Sequence, residues 1–355
     1  MAPKYQFIAD SLRSEIENGQ YSSKQLLPTE QLLCQRFQIS RQTIRRALSV
    51  LEEEGLITRR QGSGSHLRER TEKTAPLNCA VAVVTTYIND YIFPNILQGM
   101  ETVLTANSSA PLLFATQNQI STERKILQTL LTMKPLDGVL VEGSKTALPC
   151  PNLDLYRKLL DRGVRLVFIN GCYPELSSIP SVLADNYGGG RMLVEYLSQK
   201  GHQHIAGIFK NDDMQGPLRC SGYMEAIRDL GLPFEDEQVL WYNTEGRKSF
   251  RSEAFVDSVL DGFRDCSAIV CYNDEVAIRV VSQLKKRGTR IPEEMAVVSF
   301  DNSPYSELSP VRITSLSHGS QNLGELSANL MLRLLRGEAH QSEVVPWQLV
   351  EKESG

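Results

Sequence analysis

The sequence of 355 residues lacks long apolar runs. No stretch approaches the roughly 18 consecutive apolar residues that a membrane-spanning helix requires. Residues 1–18 mix Lys, Arg, Asp and Glu and contain no apolar core of a secretion signal. These two absences argue against membrane insertion and predict a protein that is not exported.

Cysteine pairing and metal-ligand patterns are also missing. The seven cysteines are an odd number and show no Cys-x-x-Cys spacing, and the five histidines form no ligand cluster beyond His202-x-His204. The sequence therefore predicts neither disulfides nor a metal or other cofactor, and it favours the reduced cytoplasm.

The net charge of −4 hides an asymmetry between the N-terminus and the rest of the chain. Residues 1–70 carry eleven Lys and Arg against eight Asp and Glu, a net charge of +3, whereas the other residues carry 27 against 34, a net charge of −7. A small basic module of this kind is typical of a phosphate-binding surface, although a solvated charged face has the same composition.

Periodicity within residues 1–67 predicts three helices. Apolar residues from Lys4 onward recur at spacings of three and four, and this first helix is expected to end at Asn18. Thr29 is placed to cap a second helix over residues 30–37, whose Leu32, Leu33 and Phe37 are expected to face inward. Ser40 is placed to cap a third helix.

The third helix and the segment after it predict a winged helix-turn-helix. Arg41 and Arg45 share the outward face of the first turns, where they oppose the helix dipole unless an anion binds there. Residues 56–60 alternate as a strand, residues 61–64 form a glycine-rich tip, and residues 65–67 return. The tip is also open to interpretation as a phosphate cradle, but it lacks the third glycine of that motif.

The stretch LPTEQLLCQRFQISRQTIRRALSVLEEEGLITRRQGSGSHL, residues 27–67, resembles the signature of the GntR family of bacterial regulators. That resemblance implies double-stranded operator DNA as a partner, bound through ten residues: Lys4, Tyr5, Glu30, Arg41, Gln42, Thr43, Arg45, Gln61, Gly62 and Ser63.

The resemblance also implies a role for each part of this set. Arg41 and Arg45 would contact guanine edges in the major groove, and Thr43 a phosphate or a thymine methyl group. Glu30 would approach a base amine or orient Arg41. Lys4 and Tyr5 would hold phosphates, and the wing residues would enter the minor groove. Packing by Thr43 and simple capping by Glu30 remain open alternatives.

Residues 68–78 are predicted to be a solvated linker between this domain, residues 1–67, and a second domain, residues 79–355. In the second domain, seven short β-branched runs alternate with amphipathic segments: residues 79–86, 112–116, 138–142, 165–170, 204–209, 266–272 and 294–300. Such alternation predicts parallel sheets covered by helices, and the length favours two α/β lobes separated by a cleft.

Polar residues follow these strands where each strand ends. Asp, Asn, Glu and Lys at the carboxyl ends of parallel strands meet at one edge of a sheet, where ligands of such folds bind. With nearby Tyr and Phe, they are suited to the hydroxyls and C–H faces of a sugar. For Asn273 and Asp185, capping of the following helix is an equally good interpretation.

The second domain is similar to the LacI/GalR effector domain, which itself resembles periplasmic sugar-binding proteins. The motifs RCSGYMEAI (219–227), CYNDEVAIRVV (271–281), VVSFDNS (297–303) and TSLSH (314–318) carry this resemblance. It implies that Arg219, Asn273, Asp301 and His318 hold the sugar and that Phe93 stacks on it. Residues 185–192, DNYGGGRM, look like the family's helix start.

The combination of both domains resembles the arabinose-responsive repressors of Gram-positive bacteria. TTYINDYIFPNILQGMET (85–102) and GIFKNDDMQG (207–216) carry that likeness. It adds Asp90, Tyr91, Glu142 and Lys210 to the implied effector contacts and makes L-arabinose the expected effector.

The sequence thus predicts a cytoplasmic homodimeric repressor of sugar-utilisation genes that leaves its operator when the sugar closes the two lobes. Another sugar or a sugar phosphate is the alternative effector. A sugar-processing enzyme is a more distant alternative, because Gly-x-Ser-x-Gly, His-Glu-x-x-His, phosphate-loop and complete dinucleotide motifs are absent. A transport-type binding protein is disfavoured by the basic N-terminal module.

Overall fold

The computed structural model describes residues 4–17, 27–53, 57–60, 64–67, 79–89 and 91–355. The chain divides into two compact units, Met1–Ala75 and Pro76–Gly355. Several predictions lie outside the described residues: the linker 68–78, the wing residues Gln61, Gly62 and Ser63, the effector contact Asp90, and the side chain of Lys4.

The first unit is the predicted winged helix-turn-helix. Its elements are α1 (Lys4–Glu17), α2 (Glu30–Phe37), α3 (Arg41–Glu53), β1 (Ile57–Arg60) and β2 (Gly64–Leu67), with β1 and β2 antiparallel. The Thr29 hydroxyl accepts the Leu32 amide at 3.4 Å and caps α2 as expected.

The core of this unit corrects one detail of the predicted pattern. Leu33 is buried in the core with residues of α1 and α3, and Phe37 packs against it, but Leu32 is exposed. Adjacent helical residues are about 100° apart, so Leu32 and Leu33 cannot share one face, whereas residues four apart can.

The second unit alternates strands and helices throughout. In chain order its elements are β3 (Val81–Thr85), α4 (Phe93–Ala106), β4 (Leu112–Ala115), α5 (Ile120–Thr132), β5 (Gly138–Val141), α6 (Leu153–Asp161), β6 (Arg165–Ile169), β7 (Ser181–Ala184), α7 (Asn186–Gln199), β8 (Ile205–Lys210), α8 (Gln215–Asp229), β9 (Val239–Tyr242), α9 (Glu253–Gly262), β10 (Ala268–Cys271), α10 (Asp274–Lys286), β11 (Ala296–Phe300), α11 (Pro304–Leu308), β12 (Thr314–Ser317), α12 (Leu323–Leu335), β13 (Glu343–Val345) and β14 (Gln348–Val350).

These strands form two six-stranded sheets, one in each lobe. The first lobe has the order β13-β7-β6-β5-β3-β4 and the second has β14-β12-β11-β10-β8-β9. All pairs are parallel except β12 with β14. The chain passes between the lobes after β7, after β12 and after β13, because α7 packs in the second lobe and α12 in the first. The predicted two-lobed α/β architecture and all seven predicted strands are confirmed.

Glycines allow α7 and α8 to pack closely, and the predicted helix start at residues 185–192 is confirmed. Asp185 caps α7 by accepting the Gly188 amide at 2.9 Å. A Cβ on Gly190 would lie 2.1 Å from the Arg219 carbonyl oxygen, and one on Gly222 would lie 2.0 Å from that of Tyr187. The glycines therefore hold α8, which carries Arg219, against the start of α7.

The substitution Gly222→Ala is expected to lower the free energy of unfolding by about 1–3 kcal/mol, because the added methyl group meets rigid backbone. Gly262→Ala is the matched control, since a Cβ there has no neighbour within 4 Å. Urea unfolding of the two variants tests this. Equal stability of Gly222→Ala and Gly262→Ala would contradict the close helix contact.

Candidate functional site

The outward face of α3 presents two arginines that share one carboxylate. The Arg41 and Arg45 side chains are 68% and 57% exposed, and their Nε atoms lie 2.8 and 3.0 Å from Glu30 Oε2. Slight burial opposes ionisation of Glu30, but the hydrogen bonds from both guanidinium groups lower the pKa of that carboxyl. Glu30 therefore orients Arg45 as well as Arg41, which goes beyond the expectation from the sequence.

A groove beside α3 contains further residues of the predicted DNA surface. Tyr5, Gln42, Thr43 and Arg45 line it together with Arg46 and Ser49. The Arg46 guanidinium lies 5.7 Å from the centre of the Tyr5 ring. The Thr43 hydroxyl lies 2.9 Å from Ser40 Oγ, so it is held at the start of α3. The described DNA-contact candidates thus lie around one helix face, and their contacts with DNA stay a prediction.

In the second unit, a cavity of about 350 Å³ lies between the two lobes. All eight described effector candidates line it: Tyr91, Phe93, Glu142, Lys210, Arg219, Asn273, Asp301 and His318. The sequence therefore identified residues that the fold brings together. Their contacts with an effector stay a prediction.

Arg219 is a buried cation of the second lobe. Its Nε donates to Asn186 Oδ1 at 2.9 Å, Nη1 donates to the Tyr272 carbonyl, and Nη2 lies 3.4 Å from Asp301 Oδ1. The guanidinium carbon lies 4.1 Å from the centre of the Phe300 ring. A buried charge needs such partners, and they fix Arg219 in one orientation.

Tyr91 joins this group from the first lobe. Its hydroxyl donates to Asp301 Oδ2 at 2.6 Å and accepts the Asp274 amide at 3.1 Å. Burial and the nearby carboxylates of Asp301 and Asp274 raise the pKa of Tyr91, so the phenol stays protonated and can donate. Asp301 is therefore bound by both lobes.

The two interpretations of Asn273 are compatible. Its Oδ1 caps α10 by accepting the Val276 amide at 3.1 Å, while the residue also lines the cavity. Oδ1 is used by the helix cap, and the side-chain Nδ2 is the group with which Asn273 would contact a ligand.

Glu142 is a buried carboxylate of the first lobe that lines the cavity. Oε2 accepts the Thr86 amide at 2.9 Å, and Oε1 accepts Asn170 Nδ2 at 3.0 Å. Burial raises the pKa of Glu142, although these hydrogen bonds act in the opposite direction. Four donors hold the carboxyl in place, counting the Thr86 hydroxyl at 2.5 Å and the Thr85 hydroxyl at 3.3 Å.

Lys210 lines the same cavity from the second lobe and has two carboxylate partners of its own. Its ammonium binds Asp213 and lies 3.2 Å from Asp212 Oδ1. Burial would lower the pKa of Lys210, but Asp213, Tyr272 and Asp212 outweigh it and raise the pKa, so the side chain stays charged.

Aromatic rings border the cavity at two places. Phe93 packs edge-on against Tyr87 with ring centres 5.7 Å apart, and the His318 ring stacks on Trp347 at 3.8 Å. Burial lowers the pKa of His318, which favours the neutral imidazole. Such surfaces suit the C–H face of a sugar ring.

Sequence reasoning missed Asn118, Arg247 and Trp347, which also line the cavity. Arg247 lies in a short 3-10 helix, Gly246–Arg251, and Trp347 lies in the passage between β13 and β14. Only Asn118 follows a predicted strand, residues 112–116, and that position was a usable signal.

The described residues contain no group of three or more His, Cys, Asp or Glu side chains that could hold a metal ion. Within the same residues, no helix is long and apolar enough to cross a membrane. All seven cysteines are unpaired.

The two units of the chain match different protein families. A model of the bacterial regulatory proteins of the gntR family matches residues 4–67, and a model of the periplasmic binding protein-like domain matches residues 194–355. The arabinose metabolism transcriptional repressor of Halalkalibacterium halodurans is 33% identical over 343 residues, which cover 95% of this chain and 91% of that protein. The repressor of the same name from Geobacillus stearothermophilus is 33% identical over 334 residues, 94% of this chain and 91% of that protein. The chain belongs to the family of arabinose metabolism transcriptional repressors.

Solved structures show the same fold. The transcriptional regulator CelR-cellobiose complex covers 99% of this chain and 100% of its own, with a TM-score of 0.68 and 24% identity. The transcription regulator CcpA of Lactococcus lactis covers 78% of this chain and 98% of its own, with a TM-score of 0.68 and 22% identity. The predicted fold class is confirmed, as is the prediction of a transcriptional repressor rather than an enzyme.

Asp274, beneath the cavity, is expected to make stability depend on pH. It accepts the Ser303 amide at 2.6 Å and the Ser315 hydroxyl at 2.7 Å, and burial with the nearby Asp301 raises its pKa to about 6. The folded state then keeps a proton that the unfolded state loses from about pH 4 upward. Between about pH 4 and 6, the native protein should therefore lose stability, as pH rises, relative to the non-ionisable variant Asp274→Asn.

Urea unfolding of the native protein and of Asp274→Asn across this pH range measures the effect. Asp261→Asn is the control, because Asp261 is a surface residue paired with Arg287. Parallel stability curves for native protein and Asp274→Asn would show that Asp274 titrates at its ordinary pKa.

Proposed function

We propose that this repressor binds operator DNA through α3 and the wing, and that L-arabinose in the interlobe cavity releases it. The observation that carries this proposal is the convergence of polar residues from both lobes on one cavity, where each charged group is already held by a neighbour. The names of the relatives support arabinose metabolism as the context.

The charge balance of the cavity favours a neutral sugar over a sugar phosphate. Its described cations each bind a carboxylate: Lys210 binds Asp213, Arg219 lies 3.4 Å from Asp301, and Arg247 lies 2.7 Å from Glu275. Glu142 adds a further carboxyl group. A phosphate would have to displace one of these carboxylates, which are largely shielded from water, and this is costly, whereas hydroxyl groups can join the existing hydrogen bonds.

The size of the cavity supports a small ligand. At about 350 Å³, it lies near the lower end of the roughly 300–1,000 Å³ of small-molecule sites. A monosaccharide with several hydroxyl groups would fit that volume and meet donors and acceptors from both lobes. Its binding would therefore favour the closed arrangement of the lobes.

The homodimer belongs to the same proposal. Each sheet ends in an edge strand that exposes large apolar side chains: Leu112 and Leu113 on β4 and Trp241 on β9. Exposed apolar edges favour association with a second copy. Two copies would place two helix-turn-helix units on a pseudo-palindromic operator in the cytoplasm.

L-arabinose is expected to stabilise the protein by about 2.7 kcal/mol at a concentration of a hundred times its Kd. Arabinose 5-phosphate should give no comparable stabilisation, because the cavity offers no unpaired cation among its described residues. Thermal-shift measurements and calorimetric titration test both sugars. Arg219→Ala should abolish the response, whereas Arg228→Ala on the exposed face of α8 should retain it.

A native-like circular dichroism spectrum and a cooperative urea transition of Arg219→Ala would show that this variant still folds. A response to the phosphorylated sugar alone would show that the effector is a sugar phosphate and not L-arabinose. A response to neither sugar would leave the repressor without the proposed effector.

Arg45→Ala is expected to weaken operator binding about 5- to 150-fold, because it removes one contact to a base edge. Arg290→Ala is the control, since Arg290 is an exposed surface residue of the second unit. An operator selected from a random duplex library provides the probe for anisotropy titrations, repeated with L-arabinose, which should weaken binding about 5- to 150-fold. Equal affinity of the two variants would refute the assignment of Arg45, and tighter binding with sugar would refute release.

A further inference from the structure

Asn118 links the two lobes beside the cavity. It belongs to the first lobe, between β4 and α5, and is 1% exposed. Its Nδ2 donates to Asp213 Oδ1 at 2.9 Å and to Thr244 Oγ1 at 2.6 Å, both in the second lobe. Its Oδ1 accepts the Lys145 amide at 2.8 Å within the first lobe. The side chain thus donates hydrogen bonds across the cleft and accepts one within its own lobe.

The carboxylate that Asn118 holds is the one that binds Lys210. Asp213 accepts Asn118 through Oδ1 and the Lys210 ammonium through Oδ2. Lys210 lines the cavity and is one of the predicted effector contacts. A continuous chain of hydrogen bonds therefore runs from the first lobe through Asp213 to the cation in the cavity.

Neighbouring contacts join the lobes at the same place. Lys145 Nζ lies 2.7 Å from Glu245 Oε1, the Met214 amide donates to Thr146 Oγ1 at 3.0 Å, and the Ala147 amide donates to the Asp212 carbonyl at 3.3 Å. Separation of the lobes would remove both acceptors of the Asn118 side-chain Nδ2 group. It would also remove Asn118 as a hydrogen-bond partner of Asp213. Loss of buried partners of this kind is costly.

We propose that Asn118 is a positioning residue for the effector: it fixes Asp213, and through it the Lys210 ammonium, only when the lobes are closed. Closure and the correct placement of the cation are then one event. A sugar that requires Lys210 binds the closed form selectively. This inference rests on the proposed function for its ligand, but the interlobe link can be tested without one.

The variant Asn118→Asp separates the two roles of the side chain. A carboxylate still accepts the Lys145 amide, so the loop of the first lobe keeps its contact. It cannot donate to Asp213 or Thr244, and it places a second negative charge against Asp213. In the double variant Asn118→Asp with Asp213→Asn, the amide and carboxylate exchange places, and the net charge equals that of the native protein.

The first readout is hydrogen exchange of the Met214 and Ala147 amides in the absence of sugar. Both donate across the cleft, so Asn118→Asp should speed their exchange at least several-fold, and the double variant should slow it again. The second readout is the affinity for L-arabinose, which should fall about tenfold in Asn118→Asp and recover to within about threefold in the double variant. Asn329→Asp, on the exposed face of α12, makes the same charge change and should behave as the native protein.

Unchanged exchange in Asn118→Asp would overturn the interlobe link. Faster exchange with unchanged L-arabinose affinity would overturn the positioning role, and so would a double variant that recovers neither property. If the native protein binds no L-arabinose, the proposed function fails, and the exchange measurements decide the interlobe link independently.

Discussion

Burial of the Arg219 guanidinium is the constraint on which the rest of the effector domain depends. A charge removed from water must be matched by fixed partners, and these come from separate elements: Asn186 on α7, the Tyr272 carbonyl after β10 and Asp301 after β11. The close contact of α7 with α8 and the neighbouring positions of β8, β10 and β11 bring these partners to the guanidinium group. Asp301 then presents its second oxygen to Tyr91 of the first lobe.

The two-lobed fold could be predicted because buried parallel strands form nearly continuous runs of β-branched and other apolar residues, which are easily recognised in the sequence. Of the five described strands that this pattern missed in the second unit, three have a clear physical reason. Residues 343–345 and 348–350 form strands of three residues, too short for any period, and residues 181–184 begin with a buried Ser. These strands exist because neighbouring strands supply hydrogen-bond partners, which is tertiary information.

The candidate site was predictable to the extent that its residues end strands. Glu142, Lys210 and Asp301 do so, and the parallel topology brings them to one cleft. Trp347 could not be predicted as a cavity residue, because it lies in the segment between β13 and β14, where the chain crosses between the lobes for the third time. Its contact with His318 joins segments that are separate in the sequence. Asn118 could have been found as a strand-end residue, but its partners Asp213 and Thr244 could not.

Both units use a carboxylate that holds two hydrogen-bond donors, and exposure decides what each arrangement can do. Glu30 binds Arg41 and Arg45 at the surface, where an ion pair contributes roughly 0–1 kcal/mol to stability. Phosphates or bases could therefore replace Glu30 as partners of the arginines. Asp301 holds Arg219 and Tyr91 inside the protein, where removal of one partner costs roughly 3–5 kcal/mol. In the proposed function, the surface arginines can therefore exchange Glu30 for DNA, whereas Arg219 and Asp301 keep one arrangement in the cavity. A repressor that releases its operator when it binds a sugar, as proposed above, needs both properties: exchangeable partners at the DNA surface and fixed partners in the cavity.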